Sequence, residues 1–153
     1  MRNTLFILLM FISDLLYSYD FEVEILSNEG DINIVEFADI LTYRQFRIKS
    51  NWKDNLGDWG VIDCSGNHTV FKNKGTILKN YCKGSNVLGE DFWIIMDRES
   101  DNFDAGIGKI EYIKGTGKFK EYKGTKCVYA VSHLPLGKGS FIKSKCNFNK
   151  KNN

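Results

Sequence analysis

The chain has few of the features that mark disordered linkers, membrane spans and α/β folds. It has a single proline, Pro135, which is unlike the composition of a disordered linker. Its longest apolar run, residues 4–12, is much shorter than the roughly 20 residues that a spanning helix needs. No amphipathic helix long enough for an α/β fold can be found. These absences favour an all-β protein.

Metal and cofactor motifs are missing as well. The cysteines are too widely spaced for the close C-x-x-C pair of a zinc site. The acidic cluster at residues 97–104 does not have the spacing of an EF-hand and is interpreted as a solvated loop. The Gly-x-Gly pairs at 106–108 and 115–117 lack the further glycine and the helix of a phosphate loop. We therefore predict no metal, no cofactor and no catalytic residue.

The first 18 residues have the three parts of a secretory signal. Arg2 supplies the positive charge, residues 4–12 form a short apolar core, and residues 13–18 are more polar and end in a small residue. We predict a signal peptide over residues 1–18, cleaved after Ser18, which leaves no stable membrane span. The predicted location is therefore periplasmic or secreted.

All four cysteines follow this leader, and an even number of cysteines in an exported chain predicts two disulfides. Residues opposite each other in a hairpin have a constant index sum. Cys64 and Cys82 are centred on residue 73, in a turn-like stretch. Cys127 and Cys146 are centred within residues 134–139, which hold the only proline. Of three possible connectivities we predict Cys64–Cys82 and Cys127–Cys146, each across its own hairpin at a non-hydrogen-bonded position.

Short alternating runs separated by Gly, Asn and Asp dominate the rest of the sequence. Phe21, Val23 and Ile25 alternate with glutamates, and residues 90–99 and 107–113 form apolar strands. A long meander must hide its edges by closing on itself. We predict one domain over residues 19–148, an antiparallel meander closed into a small barrel of about eight strands, with residues 149–153 as a disordered tail.

Some local features are less clearly defined by the pattern. Residues 35–49 are compatible with a helical turn followed by a strand from Tyr43 to Lys49. Glycines on both sides of Phe119 and Tyr122 predict a short strand there. Both histidines of the barrel segment, His68 and His133, stand near predicted turns, so we expect them to be solvent-exposed.

The charge is distributed unevenly along the chain. Residues 19–99 contain 9 Lys and Arg against 14 Asp and Glu, whereas residues 100–153 contain 11 Lys against 4 Asp and Glu. In a closed fold the two halves can lie side by side and attract each other. The overall charge of +2 is too small to indicate a nucleic acid as partner.

Two segments resemble known proteins. The stretch from Lys114 to Lys120, with Gly124 and Thr125, resembles the G-T-G-[KR]-[FY]-x-x-x-x-G segment of allene-oxide-cyclase-like and dirigent-like small β-barrels. Residues 52–58, the glycine- and aspartate-rich residues 100–108 and the paired cysteines are similar to short exported proteins of unknown function in marine alphaproteobacteria. The first resemblance implies a barrel fold, and the second implies no chemistry.

A ligand site is predicted inside the barrel. Arg98 shares its alternation with Phe92 and Met96 and so points inward, where a buried arginine would need a carboxylate and could mark a ligand. Aromatic residues on strands can line the interior of a small barrel. The predicted ligand-binding residues are Trp93, Arg98, Tyr112 and Tyr129.

Three functions are compatible with this sequence. The first is a non-enzymatic exported protein that binds a small, partly apolar ligand inside the barrel. The second is a cyclase or isomerase in which the interior shapes a reactive substrate, indicated by a buried carboxylate or histidine facing a cavity. The third is a surface interaction module that uses the basic C-terminal half. A non-enzymatic function is favoured, and the sequence does not define the ligand or the oligomeric state.

Overall fold

Strands make up most of the described chain, because apolar and polar residues alternate through most of it. The structure is a computed structural model that describes residues 18–28, 30–72, 74–101, 105–134 and 139–149. Its strands are β1 (Ser18–Ser27), β2 (Asp31–Phe37), β3 (Leu41–Asp54), β4 (Trp59–Phe71), β5 (Gly75–Asn86), β6 (Asp91–Ser100), β7 (Ala105–Gly115), β8 (Lys126–His133) and β9 (Ser140–Asn149). A 3₁₀ helix, Gly117–Tyr122, lies between β7 and β8.

The strands close into an antiparallel barrel. Strands β2 to β9 pair with their neighbours in chain order, β9 pairs with β1, and β1 pairs with β3. Eight strands, β1 and β3–β9, thus form the barrel, and β2 is an additional strand on the edge of β3. Closure removes the exposed edges of a long meander, and the predicted all-β barrel of about eight strands is confirmed.

The barrel is closed by pairing between β1 and β3 only along the C-terminal part of β3. The β1–β3 ladder runs from Val23 opposite Asp54 to Ser27 opposite Ser50. Beyond this point β3 pairs with β2 instead, from Asp31 opposite Arg47 to Phe37 opposite Leu41. The β2–β3 hairpin therefore extends past the closed part of the barrel, and every residue of β2 is exposed. Residues 35–49, which the sequence left ambiguous, form strands joined by a turn rather than a helix.

One half of the interior is filled with aromatic side chains. Ring centroids of neighbouring members lie between 5.0 and 6.3 Å apart, at the distances of favourable aromatic pairs. The cluster comprises Phe21, Trp52, Phe92, Tyr112, Phe119, Tyr122 and Phe148, each no more than 6% exposed. This half of the barrel is a packed core.

The 3₁₀ helix completes this core and corrects the predicted strand at residues 119–122. Phe119 is 2% and Tyr122 6% exposed, and both rings pack among the inward aromatics of the barrel. In a 3₁₀ helix side chains three residues apart lie on the same side. A strand would have placed them on opposite faces. The helical turn lets Phe119 and Tyr122 enter the interior together.

Both disulfides have the predicted connectivity. Cys64 stands directly opposite Cys82 in the β4–β5 ladder, and Cys127 directly opposite Cys146 in the β8–β9 ladder. Their Cα atoms are 4.1 and 4.0 Å apart, near the spacing of non-hydrogen-bonded pairs. No described cysteine is free.

The acidic and basic parts of the chain meet where its first and last strands pair. Lys143 Nζ on β9 lies 2.9 Å from a carboxylate oxygen of Glu22 on β1, and Lys145 Nζ lies 3.7 Å from Asp20. Exposed pairs of this kind contribute little to stability, because solvent screens their charges. The uneven charge distribution along the sequence thus becomes attraction between neighbouring strand faces.

The predicted signal peptide and tail fall almost wholly outside the described residues. β1 begins at Ser18 and β9 ends at Asn149, so the signal peptide and the disordered tail stay predictions. The part of the chain that is described contains no helix long and apolar enough to cross a membrane.

Gly84 is expected to be essential to the aromatic core. It stands opposite Phe92 in the β5–β6 ladder, and a Cβ atom at this position would overlap the Phe92 ring. Gly84→Ala should therefore lower the free energy of unfolding by about 1–3 kcal/mol, measured by urea denaturation. Ser65→Ala, on the outer face of β4, is the control and should change it little. A double variant that adds Phe92→Leu should recover part of the loss, and strictly additive effects would contradict this packing.

Each disulfide is expected to stabilise the fold by a similar amount. Each closes a loop of 18 or 19 residues, which is worth about 3 kcal/mol in the chain-entropy model. Replacing Cys64 and Cys82 by serine, or Cys127 and Cys146 by serine, should lower the free energy of unfolding by about this amount. The measurement is denaturation with and without a reductant. A variant lacking both bridges should no longer respond to the reductant.

Candidate functional site

A cavity of about 450 Å³ occupies the half of the barrel interior that the aromatic core leaves open. Turn residues Asn28 and Gly30 and the residues that flank the β8–β9 turn, Leu134 and Gly139, form its mouth. Leu134 is 38% exposed, so this end communicates with solvent. The barrel is therefore a cup, closed by aromatic rings below and open above.

Basic side chains form one row across the cavity wall. In the strand ladders Arg44 stands opposite His68, His68 opposite Leu78, and Leu78 opposite Arg98. Residues opposite each other point to the same face of a sheet, and all four line the cavity. Strands β3, β4, β5 and β6 thus carry a row in which three of four residues are basic.

The next row, one step closer to the core, contains an amide. Phe46 stands opposite Gly66, Gly66 opposite Asn80, and Asn80 opposite Met96. A Cβ atom on Gly66 would overlap the Oδ1 atom of Asn80, so the glycine makes room for the amide. Asn80 is 8% exposed and lines the cavity, and its Oδ1 atom accepts no hydrogen bond from any residue that the structure describes.

Glycines also accommodate the largest polar side chains of the site. Gly108 stands opposite Tyr129, whose ring occupies the place of a Cβ atom there. A Cβ atom on Gly106 would lie 3.1 Å from Cδ of Arg98. Arg98 is 3% and Tyr129 2% exposed. The missing side chains of Gly106 and Gly108 let Arg98 and Tyr129 lie along the wall of the cavity.

The opposite wall is apolar. In the ladders Val131 stands opposite Ile142, and Ile142 opposite Ile25. Strand β3 adds Phe46 and Ile48, and all of these residues line the cavity. The site therefore has a polar wall that carries Arg44, His68, Asn80, Arg98 and Tyr129 and a mainly apolar wall centred on Ile25, Val131 and Ile142.

The Cys64–Cys82 disulfide lies at the side of the cavity next to the aromatic core. Cys64 lines the cavity, and its bridge to Cys82 lies beside Met96, whose Sδ atom is 3.8 Å from Cys82 Sγ. Ile48, opposite Cys64 in the β3–β4 ladder, continues this layer. The Cys64–Cys82 bridge thus fixes the distance between two strands that carry His68 and Asn80.

His68 is neutral at physiological pH. Burial lowers its pKa from the ordinary value of 6.5 to about 4, and the positive charges of Arg98, Arg44 and His133 act in the same direction. His68 is only 5% exposed. At neutral pH His68 therefore adds no charge to the described wall and offers one ring nitrogen as donor and the other as acceptor.

Arg98 and Tyr129 influence each other. Burial raises the pKa of the Tyr129 hydroxyl to about 12, and the charge of Arg98 opposes this rise. Burial also lowers the pKa of Arg98, opposed by Tyr129, but an arginine keeps its proton in proteins. At neutral pH the wall therefore presents a cationic guanidinium beside a protonated phenol, both hydrogen-bond donors.

The structure brings two of the four predicted ligand-binding residues to the cavity. Arg98 and Tyr129 line it. Tyr112 instead belongs to the aromatic core, 5% exposed and packed against Phe92 and Tyr122. Trp93 has the opposite parity to Arg98 on β6 and lies on the outer face, with Lys83 Nζ 5.6 Å and Lys114 Nζ 5.2 Å from its ring centroid.

The sequence interpretation did not identify three residues of the site. His68 was expected in an exposed loop but lies inside strand β4, and Arg44 and Asn80 were not singled out. The alternation of β4 carries the signal for His68, since Ile62, Cys64 and His68 share one parity. His133 is exposed at the end of β8, as expected, and lies at the cavity.

The donor set of the cavity is poor in metal ligands. No group of three or more His, Cys, Asp or Glu that could hold a metal is found among the described residues. The described residues that line the cavity include no Asp or Glu. The polar groups of the described lining are arginine, histidine, amide, phenol and hydroxyl, which can form hydrogen bonds to an organic molecule.

Comparison with known proteins shows similarity in fold. No protein-family model and no curated protein matches the chain. A protein of unknown function from Clostridium acetobutylicum superposes with a TM-score of 0.59 at 15% identity, covering 85% of this chain and 98% of that chain. A pterocarpan synthase dirigent protein superposes with a TM-score of 0.49 at 8% identity, covering 86% and 87%. The first likeness shows the fold alone.

His68 is expected to make the protein acid-sensitive. Because its pKa is about 4 in the folded state and 6.5 in its ordinary state, the unfolded chain takes up the proton first as the pH falls. The stabilisation is complete above pH 6.5 and is lost toward pH 4, by about 3 kcal/mol. His68→Gln should remove this part of the pH dependence, measured by urea denaturation at pH 7, 5.5 and 4.

The matched control for this experiment is His133→Gln, which changes the exposed histidine at the end of β8. Its free energy of unfolding should follow that of the wild type closely with pH, because His133 has the smallest of the four effects on the pKa of His68. If His68→Gln and the wild type lose stability in parallel between pH 7 and pH 4, the buried neutral state of His68 is wrong.

Proposed function

We propose that this chain is an exported protein that binds a small, partly apolar molecule in the open half of its barrel. The cavity of about 450 Å³ carries this proposal, since small-molecule sites measure about 300–1,000 Å³. Such sites are mostly apolar with a few convergent polar groups, which is the division between the two walls described above.

Export is supported by the two disulfides. Disulfides form and persist in oxidising compartments and are rare in the cytosol. The pairs Cys64–Cys82 and Cys127–Cys146 account for all four cysteines of the chain. Together with the signal-like sequence of residues 1–18, they support a periplasmic or secreted protein.

Binding is favoured over catalysis by the chemistry of the walls. A general base works best when its pKa lies near the ambient pH, and the pKa of His68 is about 4. The described lining offers no carboxylate that could replace it. His68 is the buried histidine that a cyclase or isomerase would require, but its low basicity supports a role in hydrogen bonding.

A polyanion-binding surface is less well supported. Lysines of the basic half are engaged by carboxylates of the acidic half: Lys143 with Glu22, and Lys118 with Asp58. These pairs reduce the positive field that a polyanion would need. The uneven charge is better explained as attraction between neighbouring strands.

A neutral fluorescent probe tests the binding function. N-phenyl-1-naphthylamine should bind at one site with a dissociation constant below about 100 µM, measured by its fluorescence. Val131→Trp places an indole on the cavity wall and should weaken binding by about tenfold or more. Val128→Trp, on the same strand but 56% exposed on the outer face, should leave binding unchanged. Equal binding by both variants would place the probe outside the cavity and overturn the proposal.

A further inference from the structure

Two uncharged polar side chains of the cavity, Asn80 and Tyr129, are buried without hydrogen-bond partners in the part of the chain that the structure describes. Asn80 on β5 is 8% and Tyr129 on β8 is 2% exposed, and both line the cavity. The Oδ1 atom of Asn80 accepts no hydrogen bond from a described residue, and none is found for the Tyr129 hydroxyl. Buried polar groups in native proteins are nearly always hydrogen-bonded. The pair therefore indicates a place where a bound molecule supplies the missing partners.

Asn80 is the one polar side chain in a cross-strand row of five described residues. The row runs from Phe46 through Gly66 and Asn80 to Met96 and Ile110. The Oδ1 atom of Asn80 lies where a Cβ atom of Gly66 would be. Rotation about the Cβ–Cγ bond of an asparagine is soft, so the amide can turn its oxygen from Gly66 toward a donor in the cavity. An apolar residue would fill this position at lower cost in the free protein.

The ring of Tyr129 crosses β7 and carries its hydroxyl toward β6. Its Cζ atom lies 2.4 Å from the place that a Cβ atom of Gly108 would take on β7. The hydroxyl is bonded to Cζ and lies beyond Gly108, where the charge of Arg98 on β6 acts on its pKa. Strand β6 is the neighbour of β5, which carries Asn80. The phenol and the amide thus approach one part of the cavity wall from two sides.

A hydroxyl group matches this pair better than other polar groups do. It has one donor and two acceptor sites, so it can donate to Asn80 Oδ1 while it accepts from the Tyr129 hydroxyl. A carbonyl or ether oxygen only accepts and would leave Asn80 Oδ1 unpaired. A charged group would lose far more hydration on entering a cavity whose other wall is formed by Ile25, Val131 and Ile142.

We propose that the ligand carries an uncharged hydroxyl group, held between Asn80 and Tyr129, on a compact apolar body that packs against Ile25, Val131 and Ile142. This inference rests on the proposed binding function and specifies the chemistry of the ligand. The hydroxyl can belong to an alcohol or to a phenol, so the experiment includes both.

Isothermal titration calorimetry on the oxidised protein compares each hydroxyl compound with its methyl ether. The alcohol pair is 2-naphthalenemethanol and 2-(methoxymethyl)naphthalene, and the phenol pair is 2-naphthol and 2-methoxynaphthalene. In at least one pair the hydroxyl compound should bind about 10–100-fold more tightly than its ether. The ketone 2-acetylnaphthalene, which only accepts hydrogen bonds, should bind more weakly than the better hydroxyl compound. The pair with the larger difference identifies the hydroxyl as that of an alcohol or of a phenol.

Variants connect the preference to the two side chains. Asn80→Leu removes the amide at similar volume, and Tyr129→Phe removes only the hydroxyl. Each should reduce the preference for the hydroxyl compound by about tenfold, with less than about threefold effect on the ether. Asn51→Leu and Tyr81→Phe are matched controls on the outer faces of β3 and β5, where Asn51 is exposed and Tyr81 is 55% exposed. Both should keep the wild-type preference, whereas a purely steric effect of the ether's methyl group would persist in all four variants.

The outcomes distinguish this inference from the function beneath it. A hydroxyl preference that is lost in Asn80→Leu and Tyr129→Phe and kept in both controls supports both. Ethers that bind as tightly as hydroxyl compounds, or a preference that survives in either cavity variant or falls in a control, overturn the hydroxyl ligand and leave the binding function standing. Failure of all five compounds while N-phenyl-1-naphthylamine still binds has the same meaning, and failure of that probe as well overturns both. If Asn80→Leu does not fold, as judged by circular dichroism, Asn80→Val takes its place in the same comparison.

Discussion

The short ladder between β1 and β3 is the constraint on which the rest of the structure depends. It holds the barrel closed from Val23–Asp54 to Ser27–Ser50, where the two serine hydroxyls share a hydrogen bond of 2.9 Å. Beyond that pair β3 forms hydrogen bonds with β2 instead of β1, and the interior is no longer bounded by a complete ring of strands. Closure at one end allows a packed aromatic core, because paired strands surround it completely there. Its absence at the other end leaves room that side chains do not fill. The core and the cavity are therefore two consequences of one register.

Inward-facing glycines decide how each half is filled. Gly84 lies under the ring of Phe92 in the core, and Gly108 lies under the ring of Tyr129 at the cavity. In both places a large side chain covers a glycine on the neighbouring strand, which restores packing that the strand itself lacks. A ring packed over a glycine stabilises the core in one half of the barrel and positions the Tyr129 hydroxyl in the other. It also explains why glycines inside β5 and β7 do not break those strands.

Much of the fold could be predicted because it follows from local rules. The alternation of residues and the index sums of the cysteines depend only on period-two geometry and hairpin turns. The site was less predictable for two different reasons. Trp93 was expected inside although the parity that turns Arg98 inward turns Trp93 outward, so the pattern already contained the answer. His68 and the 3₁₀ helix at residues 117–122 required knowing that β4 runs on past Gly66 and that the barrel needed a plug. Both features depend on tertiary packing, which prevailed over the local preference of these residues for turns.

The electrostatics of the cup follow from the same geometry. Because the ladder places Arg44 and Arg98 on either side of His68 and Leu78 in one row, two fixed charges act on a buried imidazole and add to the effect of burial in keeping it neutral. The arginines thus reinforce the larger effect of burial on the protonation state of His68. A negative ligand group would act on His68 in the opposite direction, favouring its protonated form. The charges along this row and the protonation of His68 are therefore linked by the strand register.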